Sequence, residues 1–264
     1  MPQLDVPLVQ GRFGATSRPD AWWIQPLVVF LGFLAFIVYS TWAAFQGNNY
    51  WSPDFPYLSP MYSPELFGPS PHAWFGAQPA WWPAFIPFSA AFLILWAPGG
   101  FRFTCYYYRG AYYKAWWLDP ANCTVGEPRK KYLGERSFPL IFQNIHRYFM
   151  YLAVIFIGLL AKDAFDGFFG WPDGFHVNLG SLVLLINVIL LASYTFGCHS
   201  LRHLIGGISD TISKSPVRKK AYDCVSCLNA RHMRFAWFSL FWVGFTDFYV
   251  RMCASGVWHD WRLF

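Results

Sequence analysis

The sequence predicts an all-α fold, an integral membrane bundle of five transmembrane helices. Of its 264 residues 55% are hydrophobic and only 13% are charged, far from the balance of a soluble globular chain. Four stretches, 24–45, 138–161, 177–201 and 232–252, are apolar enough to cross a hydrocarbon core, which takes roughly 20 residues. Lys and Arg crowd into alternate connecting segments, as they do in chains that cross a bilayer repeatedly.

Residues 1–20 are polar and suit a membrane surface. The 24–45 stretch is too long and too aromatic for a signal-peptide core, and no small-residue cleavage site follows it, so it is expected to persist as the first helix. Between 47 and 80, Pro53, Pro56, Pro60, Pro64, Pro69, Pro71 and Pro79 exclude long helices and central strands, which predicts an ordered cap. Its aromatics, with Trp22, Trp23, Trp81, Trp82, Trp171 and Trp258, suit interfacial belts. The 81–98 stretch is shorter and contains Pro83 and Pro87, but it carries no charge and is expected to cross with a kink. From Tyr106 to Trp117 the residues suit an aromatic amphipathic helix in the interface, stopped by Pro120. Cys123 then falls in a loop before the charged run 127–136. No repeat or low-complexity tract interrupts the remaining helices, and 1–264 reads as one domain.

Seven Lys/Arg lie in 102–136 and seven more in 202–234, whereas 47–80 has none. The positive-inside rule therefore predicts a multi-pass protein with a cytoplasmic N-terminus and an external C-terminus. The formal net charge of +6 has the same origin. It sets topology and meets anionic lipid or an acidic partner, and predicts no nucleic-acid binding. Asp247 stands one turn before Arg251, so an i,i+4 ion pair is its most economical role in a membrane helix.

Five of the six cysteines and four of the seven histidines fall at the cytoplasmic edge of this bundle: Cys105, Cys123, His146, Cys198, His199, His203, Cys224, Cys227 and His232. Thiolates and imidazoles gathered at one depth of a membrane point to a metal or redox site, since polar groups there are costly. His199 and His203 are four apart and share a helix face, although an HxxxH pair alone also suits two interfacial histidines bonded to carbonyls. On a continuous helix Cys198 would point about 100° away from His199, too far to share a centre. Cys224 and Cys227 form an incomplete CxxC, and Cys253 reads as a packing residue. Two cysteines with two histidines would hold a Rieske-type [2Fe-2S] centre; histidine pairs on different helices would instead hold haem b.

The strings Thr104-Cys105-Tyr106-Tyr107-Tyr108-Arg109, Gln143-Asn144-Ile145-His146-Arg147-Tyr148, Cys198-His199-Ser200-Leu201-Arg202-His203 and Leu228-Asn229-Ala230-Arg231-His232-Met233 resemble the membrane-anchor subunit of actinobacterial succinate dehydrogenases. The resemblance runs from about residue 101 to 255. It implies a subunit of respiratory complex II in a bacterial plasma membrane. Flavoprotein and iron–sulfur subunits would dock on its cytoplasmic face, and electrons would pass through a membrane-embedded Rieske-type [2Fe-2S] cluster to menaquinone. The succinate site would lie on another subunit.

Carried onto this chain, the resemblance makes Cys105 and Cys123 the thiolates and His199 and His203 the leading imidazoles, with His232 close behind. His146, Arg147, Tyr148, Asn144 and Arg234 are the expected quinone-binding residues, and His146 is also an alternative ligand. The rivals are a dihaem b anchor of the same enzyme class and a non-redox transport or structural protein. Against the last, no helices show the paired Gly/Pro interruptions of inverted repeats.

Overall fold

The computed structural model describes residues 13–118, 120–128, 137, 138, 140–207 and 210–264. Asp119 and most of the charged run 127–136 lie outside them. The described residues are helical with no strand: α1 (Ile24–Gln46), α2 (Ala90–Ile94), α3 (Trp96–Phe103), α4 (Tyr106–Tyr112), α5 (His146–Phe169), α6 (Leu179–Phe196), α7 (His199–Gly206), α8 (Pro216–Asn229) and α9 (His232–Ala254). Three helical stretches among them are long and apolar enough to cross a membrane: Ile24–Gln46, Ile141–Phe169 and Leu179–Phe196. Val28, Leu31, Val38, Ile155 and Ile189 are exposed on these helices. So much apolar surface left uncovered suits hydrocarbon and not water.

The sequence boundaries shift in three places, each for a local reason. The helix expected over 81–98 begins only at Ala90, because Pro83 and Pro87 keep the preceding residues in turns. The stretch expected as 138–161 opens with a 3-10 turn at Leu140–Ile145, so His146 is the first residue of α5 instead of lying two turns inside it. The helix expected over 177–201 stops at Phe196; Gly197 closes it and Cys198, in extended conformation (φ −66°, ψ 139°), opens α7. Finally, α9 has the length to cross, but Arg234, Asp247 and Arg251 make it less apolar than the three spans.

The residues form two compact units. One comprises the described parts of Met1–Ala35 and Arg102–Asn144; the other comprises Phe36–Phe101 and Ile145–Phe264. In the first, Phe33 packs on Tyr108 (5.1 Å between ring centroids) and Tyr112 (5.4 Å), so the expected aromatic helix forms, continuing beyond α4 as a π-turn at Tyr113–Trp117. The Arg18 guanidinium donates to Asn122 Oδ1 and the Cys123 carbonyl, fixing the loop after Pro120.

In the second unit α6 packs on both α5 and α9. The proline-rich stretch is an ordered cap, though not through belt aromatics alone. Tyr50, Tyr57 and Tyr62 are fully buried, and the Tyr50 and Tyr62 rings stack at 4.1 Å. The Tyr50 hydroxyl donates to the buried Glu65 carboxylate at 2.6 Å, and the Tyr62 hydroxyl donates to the Ala43 carbonyl at 2.7 Å. The expected Asp247–Arg251 pair is present at 2.8 Å, and both side chains are buried. Their remaining valences are filled as well. Tyr39 and Ser59 donate to Asp247, while Arg251 donates to the Asn48 and Ala43 carbonyls.

Candidate redox centre

The break at Gly197 decides the geometry of the site. Because the chain turns extended before α7, Cys198 leaves the helical register that would have pointed it away from its neighbours and instead faces α5. Its Sγ lies 3.0 Å from His146 Nε2, with both residues buried. The Phe101 ring lies parallel to the His146 imidazole (4.8 Å, 6°) and meets Tyr194 edge-on at 5.3 Å. Tyr194 in turn stacks on His232 at 4.9 Å. Two imidazoles and a thiol from α5, α7 and α9 are thus threaded through two buried rings. Asn229 holds the break in place, donating to the Gly197 carbonyl at 2.8 Å from the end of α8.

A buried imidazole bonded to a thiol can exchange a proton with it, or the two can ligate a soft metal together. The flanking rings exclude water and hold the imidazole plane fixed.

The other expected residues are distributed differently. His199 and His203 do come together, with ring centroids 4.6 Å apart, but they are exposed and beside Arg202. Partial burial, then His203 and Arg202, holds His199 below the ordinary imidazole range. Cys105 and Cys123 both belong to the first unit, where Cys105 is buried and Cys123 is exposed. Cys224 and Cys227 are exposed on α8, and all six cysteines are free thiols. Among the described residues no three His, Cys, Asp or Glu side chains gather closely enough to hold a metal ion. Cys105 and Cys123 thus lie in one unit and His199 and His203 in the other.

Of the expected quinone residues, His146 is buried, Arg147, Tyr148 and Arg234 are exposed, and Asn144 is exposed in the first unit. Phe101 and Tyr194 carry the centre yet gave no sequence signal, since an aromatic in a chain that is 22% aromatic singles out nothing.

These features define a class: an α-helical membrane protein with a buried imidazole–thiol centre where its spans end. The family follows from comparison with known proteins. Residues 24–256 match the family of actinobacterial succinate dehydrogenase subunit SdhC, and the chain belongs to it. It is similar to a chain of the Mycobacterium smegmatis Sdh1 complex in the apo form, with 47% identity over 94% of both chains and a TM-score of 0.87. No curated protein matches. The chain is thus a membrane-anchor subunit of succinate dehydrogenase, and the other subunits of that enzyme are its partners.

Proposed function

We propose that the chain takes electrons from the soluble iron–sulfur subunit of succinate dehydrogenase and delivers them to menaquinone in the bacterial plasma membrane. The flavoprotein subunit would hold the succinate site. In this reading the chain crosses the bilayer five times, with the N-terminus cytoplasmic and the C-terminus outside. The crossings are the three apolar stretches, α2–α3 together, and α9, whose Asp247 and Arg251 neutralise each other.

The redox group in this proposal is a Rieske-type [2Fe-2S] cluster, which accepts single electrons and couples them to protons through its imidazoles. The observation that carries the redox reading is the buried His146–Cys198 contact between stacked rings. That pair is buried, whereas His199 and His203 are exposed. The chain's own part is to hold the imidazole in one tautomer, to keep water from the thiol, and to offer Arg147, Tyr148 and Arg234 as hydrogen-bond donors to a quinone oxygen.

Electron paramagnetic resonance and metal analysis of the purified complex test this. The reduced complex is expected to give an iron–sulfur signal of low average g and broad visible absorbance. The signal should disappear in His146→Ala and Cys198→Ser and survive in His199→Ala and His203→Ala. Cys105→Ser and Cys123→Ser identify which further thiol contributes. Sharp α bands of reduced b haem would overturn the cluster, and zinc without iron beyond the soluble subunit's clusters would overturn the redox reading of this chain.

A further inference from the structure

Outside the buried centre, α7 and α8 enclose a second feature, a pocket of about 210 Å³ walled by His199, Arg202, His203, Gly206, Ile212 and Tyr222. Gly206 makes its floor possible: a Cβ there would meet the Tyr222 ring at 2.7 Å, so only glycine lets the end of α7 rest on that ring. The close approach fixes Arg202. Its guanidinium lies 5.0 Å over the Tyr222 ring, and its Nε donates to Ser226 Oγ at 3.1 Å. These two contacts hold the fork in one orientation, the state in which a guanidinium recognises a planar or tetrahedral oxyanion best.

The charge of Arg202 is not compensated from within: among the described residues it forms no ion pair, and the nearby Asp223 of α8 is taken by Lys219 at 2.7 Å. Each imidazole adds an N–H donor whether neutral or charged. A cation is poorly suited to such a site. Most of the wall area is apolar, so the polar recognition is confined to Arg202 and the two imidazoles.

Position narrows the ligand further. The apolar stretch of α6 ends at Phe196 and α7 begins three residues later, so if α6 spans the bilayer the pocket lies just beyond its end, near the level of lipid phosphates. We propose that this pocket is a binding site for a phosphate-bearing anion, with Arg202 as the orienting fork and His199 and His203 as flanking donors. The headgroup of an anionic phospholipid and free phosphate share the chemistry. The site is independent of the electron relay proposed above, since none of its residues belongs to the His146–Cys198 pair.

The test uses the intact purified complex, delipidated in detergent, with two probes. Native mass spectrometry counts adducts of dioleoylphosphatidylglycerol, with dioleoylphosphatidylcholine as the reference. In parallel, the thermal midpoint is read with millimolar inorganic phosphate against chloride of equal ionic strength. Arg202→Gln is expected to weaken one lipid adduct or the phosphate-induced shift on the order of tenfold, as loss of a charge-assisted bond predicts. Arg202→Lys should restore part of it, and His203→Gln should weaken it less. Loss confined to the lipid arm identifies a lipid site, and loss confined to the phosphate arm identifies a free-anion site. Arg202→Gln and His203→Gln complexes that assemble and still bind both probes as the wild type does would overturn the proposal. Lys220, exposed on α8 and outside the pocket, serves as control: Lys220→Gln should change neither arm.

Discussion

The two ends of α9 hold polar groups in opposite ways, although they belong to one 23-residue helix. At its C-terminal end Asp247 and Arg251 are buried, and every donor and acceptor there meets a hard partner: Tyr39, Ser59 and two backbone carbonyls. About 22 Å away along the axis, at its N-terminal end, His232 is held by a ring face, in line with Tyr194, Phe101, His146 and Cys198. Charge neutralised by hydrogen bonds makes a rigid joint with no chemistry to spare. Imidazole and thiol held by stacking stay available for protons, electrons or a metal. The difference separates two uses of buried polarity in one helix: a closed charge network at one end, and at the other the soft groups on which the proposed redox function rests.

The comparison is sharpened most by breaking the ion pair. Asp247→Ala leaves the Arg251 guanidinium buried without its carboxylate and is expected to destabilise the subunit by roughly 3–5 kcal/mol. That is a large part of a typical folding free energy of about 5–15 kcal/mol. A double substitution, Asp247→Leu with Arg251→Met, removes both charges and should be far less harmful. Thermal denaturation of the purified complex decides; equal losses from the single and double variants would mean that the network matters for shape and not for charge.

The C-terminal tail extends the same end of the molecule and supplies the next effect. Its Asp260 carboxylate accepts from Tyr57 Oη at 2.6 Å, Tyr249 Oη at 2.8 Å and the Gly180 backbone N–H at 2.8 Å, tying the tail to the start of α6. Gly180 is needed there, since a Cβ would lie 2.1 Å from the Tyr57 hydroxyl. Asp260→Ala is expected to cost about 1.5–3 kcal/mol, the range of a lost hydrogen bond to a charged group. The readout is faster proteolysis of the tail with the redox spectrum unchanged.

At the soft end the expected effect on stability is smaller and the effect on chemistry larger. Phe101→Leu removes the ring between His146 and Tyr194 while keeping an apolar side chain, and should cost about 0.5–1.5 kcal/mol in lost ring contacts. If the redox centre proposed for this chain is present, the same variant is expected to shift its midpoint potential, because water gains access to the imidazole. A Phe101→Leu complex with wild-type potential and altered stability would place the ring among structural residues, and the contrast between the two ends of α9 would fail.

How much of this was legible in the sequence follows the same division. The Asp247–Arg251 pair could be read from i,i+4 spacing because helices fix that geometry wherever they form. The apolar spans and the aromatic stretch after Cys105 were equally readable from pattern. The His146–Cys198 contact was not. It depends on a helix interruption at two residues, Gly197 and Cys198, whereas a helix continued through them would rotate Cys198 away from His146. A glycine before a cysteine and two histidines was the available signal, since glycine commonly ends a helix. Asp260 carried no signal, because its partners Tyr57 and Gly180 are remote in sequence and brought to it only by tertiary folding.

The smallest effect separates the two ends by pH. Burial, then the Asp260 charge and its hydrogen bond, holds the Tyr57 hydroxyl well above the ordinary tyrosine range, so the folded state keeps this proton where the unfolded chain releases it. The sign follows from proton linkage. Below about pH 10, the ordinary tyrosine value, both states hold the proton and the contribution is complete; above it the folded state binds more protons, and stability falls as pH rises. The thermal midpoint of the complex is therefore expected to decline more steeply between about pH 10 and 11 for the wild type than for Tyr57→Phe, which has no proton to lose. At neutral pH the order reverses, since Tyr57→Phe lacks the 2.6 Å bond to Asp260 and starts less stable. Parallel declines in the two proteins would show that the alkaline weakness lies elsewhere and that the tail's anchorage owes nothing to this proton.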